Sequence, residues 1–303
     1  MDKSRLASAA AAVSALLAGA SVVATRFVVV ETSPVTLAFY RYALASVCFL
    51  PFVLMSFREK AVGTQDLLAI AALGLLFFGL FPWTFSASLN YTTAARGAVG
   101  LSTMPIATLA LSVVFRQERL SPRKLFSVLL ASVGVVVAFS DALLSEDESG
   151  DYLFGDALML TTALLGAIYT VFTGPYLRRY GPLFVTGLAI VFGALGLAAL
   201  NLVIGHLGEP PSFSAAGWAA VLFLGIGGGA IQFALYTWSL RYISPTRVAI
   251  FLTLAPISAM LLASAILGEQ LTVWLVLGLV LVLAAIYVAN AKARHRPSAF
   301  QHE

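Results

Sequence analysis

The chain has 303 residues, of which 60% are hydrophobic and 11% are charged, and its formal net charge is +4. Soluble domains are roughly half apolar and about a quarter charged, so this composition excludes a water-soluble globular domain and predicts a protein embedded in lipid. The single cysteine, Cys48, excludes an intrachain disulfide and a cysteine-based metal site. Because the basic residues fall in short loops and not on one face, nucleic-acid binding is not expected.

Apolar runs long enough to cross a bilayer follow one another along the chain. A hydrocarbon core about 30 Å thick needs roughly 20 apolar residues in a helix. The runs are apolar at consecutive positions and not at alternate ones, which favours helices over a barrel. The first run is longer than the apolar part of a signal peptide and is predicted to be an uncleaved helix. The predicted spans are 6–30, 34–56, 66–89, 94–115, 122–140, 153–174, 182–204, 215–240, 245–267 and 271–291.

The distribution of charge predicts the orientation of these spans. With the N-terminus inside, every lysine and arginine except Arg26, Arg41 and Arg96 lies on the cytoplasmic side, and the acidic connector 141–151 lies on the other. Both termini are therefore expected in the cytoplasm. The protein is expected to be a multi-pass protein of the plasma membrane, which in a bacterium is the inner membrane.

The two halves of the chain repeat each other. An offset of 151 residues carries Ser88-Leu89-Asn90-Tyr91 onto Ser239-Leu240-Arg241-Tyr242, and an offset of 148 relates the first two spans to the sixth and seventh. Because each half has five helices, an odd number, the second half must enter the membrane the other way up. The predicted fold is all-α, with ten transmembrane helices in two inverted five-helix repeats, 1–145 and 146–303, that form one transport domain. The 151-residue offset also pairs Gly74 with Gly225, Arg96 with Arg247, Pro105 with Pro256 and Glu118 with Glu269.

Three stretches resemble the drug/metabolite transporter superfamily, in its ten-helix EamA-type branch. They are Pro105 through Glu118-Arg119-Leu120, Pro256 through Gly268-Glu269-Gln270-Leu271, and Ser33-Pro34 through Tyr40-Arg41-Tyr42-Ala43-Leu44-Ala45. The first departs from the family pattern by having Gln117 where a glycine is usual. The resemblance implies a ten-helix bundle that exports metabolites such as amino acids and has no enzymatic activity. Within the family, the sequence is most similar to the aromatic amino acid exporters.

Polar side chains spaced by three or four residues mark candidate cargo-binding positions on four spans. Small and hydroxyl residues also line ordinary contacts between membrane helices, so packing is the alternative for each serine and threonine. Gln232 is the strongest candidate, because an unpaired carboxamide in mid-span is costly. Aromatic side chains are expected to stack on the apolar part of the cargo. The candidates are Ser21 and Thr25, Trp83 and Ser86, Tyr169 and Thr173, and Gln232 and Tyr236.

Arginines and prolines inside the spans suggest charge recognition and movement. Arg41 could hold a cargo carboxylate, form an ion pair with Glu31, or extend to the membrane surface. Arg96 and Arg247, near the starts of the fourth and ninth spans, could anchor these helices or close a gate. Prolines interrupt helices, so hinges are predicted at Pro82, Pro105 and Pro256.

The absence of an aspartate or glutamate from the middle of every predicted span favours a neutral or zwitterionic cargo. The sequence has no P-loop and no metal-ligand cluster, so no cofactor is expected. The expected partners are a small-molecule cargo and the lipid bilayer, and a monomer is compatible with the sequence. The predicted function is export by alternating access through a central cavity between the repeats. Another small metabolite or a drug-like solute is an alternative cargo, and a membrane enzyme acting on lipid-linked substrates is the alternative class.

Overall fold

The architecture is given by a computed structural model, which describes residues 3–28, 31–59, 62–88, 91, 94–138, 140, 152–204, 213–267 and 273–290. Within these residues the regular structure is entirely helical. The prediction of an all-α polytopic membrane protein is confirmed.

The first half contains seven α-helices and one π-helix in the described residues. These are α1 Lys3–Val28, α2 Pro34–Glu59, α3 Thr64–Gly74, the π-helix Leu75–Leu80, α4 Phe81–Ser88, α5 Ala94–Leu101, α6 Met104–Val114 and α7 Pro122–Ala138. The second half repeats this order. It contains α8 Tyr152–Phe172, α9 Gly174–Tyr180, α10 Pro182–Val203, α11 Ala215–Gly225, the π-helix Ile226–Ile231, α12 Gln232–Tyr242, α13 Pro245–Leu252, α14 Leu254–Leu267 and α15 Val273–Asn290.

Eight helical stretches among the described residues are long and apolar enough to cross a membrane. A ninth stretch, Val99–Val114, is apolar but shorter. The predicted count of ten spans also requires that Val99–Val114 and α7 cross the membrane, so that count stays a prediction. The eight stretches are Lys3–Thr25, Pro34–Ser56, Thr64–Ser88, Leu153–Tyr180, Pro182–Val203, Ala215–Tyr242, Pro245–Leu262 and Val273–Asn290.

Two of the predicted spans are divided into two helices well inside their length, and a third, 153–174, is broken at Thr173 near its end. The span 94–115 is broken at Ser102 and Thr103, and the span 245–267 is broken at Thr253. The 151-residue offset carries Ser102 onto Thr253, so the two breaks are equivalent positions of the repeat. The sequence predicted a bend in each span but not a division.

The breaks lie just before Pro105 and Pro256, which cannot donate to the carbonyl four residues earlier. Hydroxyl groups bind other carbonyls in the broken turns, which limits the number of unsatisfied polar groups in the apolar surroundings. Whether Pro105 and Pro256 act as hinges remains a prediction. The hydroxyls of Ser102, Thr103 and Thr253 lie 2.6 Å from the carbonyl oxygens of Val99, Gly100 and Ile250, respectively.

Contacts between the halves occur in pairs that follow the two sequence offsets. Helix α1 packs on α12 and α14, and its repeat equivalent α8 packs on α4 and α6. The pairs α2–α10 and α7–α15 each join one helix to its own equivalent. The packing is therefore the pattern expected when two related halves interlock.

Small residues let the equivalent helices approach closely. A Cβ atom added to Gly278 of α15 would lie 2.5 Å from the carbonyl oxygen of Gly134 and 2.5 Å from the Cβ of Ala138, both in α7. Lipid provides little hydrophobic driving force between helices, so close van der Waals packing of this kind stabilises their association.

We predict that Gly278→Ala lowers the free energy of unfolding by about 1–3 kcal/mol, because the added methyl group overpacks the α7–α15 crossing. The matched control is Gly79→Ala, where the new Cβ would meet only the carbonyl oxygen of Gly193, at 3.8 Å. Thermal unfolding in detergent measures both. Equal midpoints for the two variants would contradict the close crossing.

Candidate functional site

The two π-helices occupy equivalent positions in the two halves, because the 151-residue offset carries Leu75–Leu80 onto Ile226–Ile231. Each packs against a helix of the other half: Leu75–Leu80 against α10, and Ile226–Ile231 against α2. Short π-helical stretches inside α-helices are rare and occur frequently at functional sites. The region between them is therefore the candidate functional site.

One side of this region is polar and is built around an arginine. The Nη2 of Arg41 donates to the carbonyl oxygen of Gly228 at 2.7 Å and lies 3.5 Å from Oε1 of Gln232. The missing side chain at Gly228 lets Ser21 approach, since a Cβ there would lie 2.1 Å from the serine Oγ. We call Ser21, Arg41, Gly228 and Gln232 the arginine half-site.

Helix α1 supplies Ser21 to this half-site and Ser14 beside it. The hydroxyl of Ser14 donates to the backbone carbonyl of Gln232 at 3.0 Å, and the hydroxyl of Ser21 donates to Leu17 within α1. The equivalent contact in the other half joins the hydroxyls of Thr162 and Thr84 at 2.8 Å. Hydrogen bonds between helices fix the register of α1 on α12 and of α8 on α4.

The other side of the region is aromatic. Phe77 and Tyr169 stack with ring centres 4.2 Å apart and planes 10° apart, and Tyr236 lies nearly parallel to both rings, with centres 6.4 Å away. The Tyr236 hydroxyl is hydrogen-bonded to that of Thr170. We call Phe77, Phe78, Tyr169, Phe233 and Tyr236 the aromatic half-site.

The two half-sites adjoin through Tyr42. The guanidinium of Arg41 lies 5.4 Å from the centre of the Tyr42 ring. That ring is 5.3 Å from Phe78 and 6.3 Å from Phe233, centre to centre. A ligand held at the arginine therefore has a continuous aromatic surface beside it.

Three buried polar atoms in this region lack a hydrogen bond of acceptable geometry within the described chain: Arg41 Nε, Tyr169 Oη and Thr173 Oγ1. Tyr169 is fully buried, and Thr173 lies one helical turn beyond it. Buried polar groups nearly always have partners, because an unsatisfied one costs free energy. Other atoms of this kind lie elsewhere, at Ser88, Ser112, Ser244, Thr246 and Arg247, so the position of Arg41 Nε beside the second π-helix, and not the number of such atoms, favours a polar ligand here.

The structure brings together four of the predicted site residues, Ser21, Tyr169, Gln232 and Tyr236. Thr173 adjoins them, at the single-residue break between α8 and α9. Thr25 lies one turn beyond Ser21 and is partly exposed.

Trp83 and Ser86 lie apart from these residues. They line a shallow depression between helices, and Trp83 is 45% exposed. The depression is also lined by Pro82, which follows the first π-helix closely, and by Pro34, Val35, Ala38 and Leu197.

The arginines that the sequence singled out have different surroundings. Arg41 forms no ion pair with Glu31 in the described residues; the Glu31 carboxylate accepts from Ser214 instead. Arg247 is hydrogen-bonded to Asn290 and lies 3.4 Å from the hydroxyl of Ser8, near the start of α1. Arg96 lies in α5, and its side chain is outside the described residues.

Sequence reasoning missed Phe77, Phe78, Phe233 and Tyr42, which sit in almost wholly apolar stretches. The repeat itself contained a signal for Phe77. The offsets place Phe77 on Gly228 and Tyr169 on Ser21, so two large residues stand at one place where two small ones stand at its repeat equivalent, and each pair takes one residue from each half.

Equivalent contacts also join helix ends at opposite faces of the bundle. At the face where α1 begins, the Asp66 carboxylate accepts from Arg179 Nη1 at 2.6 Å and from the Tyr180 hydroxyl at 2.5 Å. At the other face, the Glu31 carboxylate accepts from the backbone N–H and the hydroxyl of Ser214, both at 2.8 Å. The offset of 148 carries Glu31 onto Arg179. We call these contacts the first-face latch and the second-face latch.

Comparison with known proteins agrees with this architecture. A sequence model of the EamA-like transporter family matches residues 5–140 and 153–291. An "Uncharacterized transporter" of Archaeoglobus fulgidus is 28% identical, over 90% of this chain and 95% of its own. The transporter YyaM of Bacillus subtilis is 21% identical, over 92% of each chain.

A chloroplastic WAT1-related protein of Arabidopsis thaliana is 25% identical, over 90% of this chain and 66% of its own. A protein of known crystal structure superposes on this chain with a TM-score of 0.78 and 19% sequence identity. The match covers 94% of this chain and 96% of the other. This last similarity shows a shared fold.

We predict that Gly228→Ala impairs both stability and activity, because the new methyl group must displace Ser21 or the neighbouring guanidinium. The double variant Ser21→Ala/Gly228→Ala should recover part of the loss. Removing the Oγ relieves the 2.1 Å contact and leaves the Ser21 Cβ at 3.1 Å. Thermal unfolding and flux measurements on both variants test this. A double variant no better than Gly228→Ala would contradict the assigned contact.

Proposed function

The chain belongs to the EamA-like transporter family, and from this premise we propose that it exports amino acids with aromatic or other apolar side chains. The observation that carries the proposal is the junction of the arginine half-site with the aromatic half-site between the two halves of the bundle. An arginine suits the carboxylate that all amino acids share, and an aromatic surface suits an apolar side chain. Gln232 and the buried hydroxyls offer further polar contacts.

The division of the chain supports movement by alternating access. The two stretches that match the family lie on either side of the connector 141–151, which is outside the described residues. In inverted-repeat transporters, the site lies between the halves and one half moves against the other. We assign the division 1–145 and 146–303 to these two moving units.

The latches are the proposed gates of this movement. Each joins the end of a helix from one repeat unit to the start of a helix from the other: α9 to α3 at the first face, and the end of α1 to α11 at the second. Opening one latch while the other stays closed would expose the site to one side only. The basic helix ends at the first face support the proposal that this face is the cytoplasmic side of a plasma membrane.

Export of another small metabolite or a drug-like solute is the alternative within transport. An enzyme acting on lipid-linked substrates is the alternative outside it. Such an enzyme needs reactive groups at a membrane face. In the part of the chain that the structure describes, no three His, Cys, Asp or Glu side chains lie together as metal ligands. Chemical analysis of the compound after it has crossed the membrane distinguishes a transporter from an enzyme, because a transporter leaves its cargo chemically unchanged.

Proteoliposomes loaded with labelled phenylalanine test the proposal directly. We predict efflux that depends on the protein and is reduced by unlabelled tryptophan or leucine outside the vesicles. Liposomes that contain heat-unfolded protein are the control. No flux of any common amino acid would overturn the amino-acid assignment.

The aromatic half-site can be tested in the same assay. We predict that Tyr236→Ala lowers phenylalanine flux about tenfold or more, because it removes both the ring and the Thr170 contact. Tyr236→Phe keeps the ring and should retain a larger part of the flux. Trp83→Ala is the matched control, since Trp83 lies apart from the half-site. If all three variants transported equally, the assignment of the site would be wrong.

The latches predict side-specific accessibility. In a Cys48→Ala background, Thr25→Cys and Thr173→Cys place thiols at repeat-equivalent positions near the second and first faces, respectively. Adding Asp66→Ala should speed labelling at residue 173 from the first face and leave residue 25 unchanged. Adding Glu31→Ala should speed labelling at residue 25 from the second face and leave residue 173 unchanged. Equal effects of both latch variants on both thiols would contradict separate gates.

A further inference from the structure

The contact pair Ser21–Gly228 of the arginine half-site and the contact pair Phe77–Tyr169 of the aromatic half-site are equivalent positions of the repeat but differ in chemistry. We infer from this that the carboxylate is the group the protein requires of its cargo. Arg41 binds this carboxylate, the aromatic half-site binds the apolar part, and the amino group is dispensable. The cargo class is then apolar and aromatic monocarboxylates, of which amino acids are one kind. This inference rests on the proposed transport function and narrows the chemistry of its site.

The first step is the unbalanced charge of Arg41. In the described residues its guanidinium contacts only neutral acceptors, the Gly228 carbonyl and, at 3.5 Å, the Gln232 carboxamide. Its Nε is buried without a hydrogen bond. The side chain as a whole is half-buried, and a charge inside a membrane span with only neutral partners is costly, so a carboxylate is the partner that compensates it.

The second step is geometric. A guanidinium binds a carboxylate best through two parallel hydrogen bonds from neighbouring nitrogen atoms. The Nε and Nη2 atoms of Arg41 form such a pair, with Nε unbonded and Nη2 holding a long contact to Gln232. Because Nη2 also donates to the Gly228 carbonyl at 2.7 Å, a cargo carboxylate at this edge gains the unbonded Nε–H and shares Nη2 with these neutral acceptors.

The third step is that one half alone can do this. The offset of 148 places Ala189 at the position equivalent to Arg41 and Tyr169 at that of Ser21. Ser21 packs directly on Gly228 beside the guanidinium, whereas at the repeat-equivalent position the rings of Phe77 and Tyr169 stack and Ala189 stands where the arginine would be. The carboxylate therefore has one place to bind, and the cargo has one orientation.

The fourth step concerns the amino group. Recognition of an ammonium by an ion pair needs an acidic side chain, and neither half-site contains one. The acidic side chains that the structure describes lie near helix ends or in loops: Glu31, Asp66, Glu118 and Asp156. The carbonyl and hydroxyl oxygens near Arg41 can accept a hydrogen bond from an amine. They carry no negative charge that requires an ammonium group as a partner.

Competition against labelled phenylalanine flux tests the inference on the unmodified protein. We expect phenylalanine and 3-phenylpropionate to compete, and phenylalaninamide and phenethylamine to compete at least about tenfold less well, since both lack the carboxylate. Amines that competed as well as the carboxylates would overturn the inference while leaving amino-acid transport in place. Failure of 3-phenylpropionate to compete would show that the amino group is required and would also overturn it.

Variants assign the preference to Arg41. We expect Arg41→Gln to lower phenylalanine flux about tenfold or more and to abolish discrimination against phenylalaninamide, and Arg41→Lys to retain part of both. Arg241→Gln, at the end of α12, removes the same charge outside the site and should behave as the unmodified protein does. Unchanged discrimination in a folded Arg41→Gln variant would overturn the role of this residue.

A binding measurement separates this inference from the proposed function. If no amino acid is transported, thermal unfolding of the detergent-solubilised protein with 3-phenylpropionate or benzoate still tests for a carboxylate site. Stabilisation that Arg41→Gln abolishes and Arg241→Gln retains supports the site. No stabilisation of the unmodified protein by any of these carboxylates or by phenylalanine would overturn it.

Discussion

Satisfaction of backbone polar groups without water is the constraint on which the rest of this structure depends. In hydrocarbon an unpaired N–H or C=O is costly, so the chain crosses as helices and can depart from helical geometry only where side chains supply partners. At the breaks before Pro105 and Pro256, hydroxyl groups bind carbonyls of the preceding turn. At the second π-helix, the guanidinium of Arg41 binds the Gly228 carbonyl. The two breaks and the second π-helix therefore lie where polar side chains are, whereas the first π-helix, Leu75–Leu80, is apolar throughout and keeps backbone hydrogen bonds of its own.

This constraint also explains what sequence could predict. Long apolar runs bounded by prolines located helices such as 182–204, observed as Pro182–Val203, within one residue. The breaks were missed because a proline indicates a bend but does not show which neighbouring residues leave the helix. Phe77 and Phe78 were missed because, in a stretch apolar on every side, periodicity does not show which face is buried. Trp83, which spacing selected for the cargo site, is 45% exposed and lines a separate depression, and its role stays a prediction.

The repeat carried more information about the site than any single motif. Residues at equivalent positions of the repeat differ in size. Ala45 packs on Gly229 in one place, and in the equivalent place Gly193 packs on Phe78. Close packing is kept in both places, but only one of them has a guanidinium beside it. The distinction between a polar and an aromatic half-site could therefore be found by comparing equivalent positions, and the contacts could be found only from the structure.

This inequality of the halves has a consequence for the energetics of the carrier. Two identical inverted halves would make the inward-open and outward-open states mirror each other, with equal free energies in a symmetric membrane. The replacement of Ser21 and Gly228 by Tyr169 and Phe77 in the equivalent positions removes that degeneracy. If access alternates as proposed, the empty carrier rests on one side, and the rate of its return step differs between the two directions. The cargo gradient still sets the direction of net flow, while the unequal halves set how fast each direction can run.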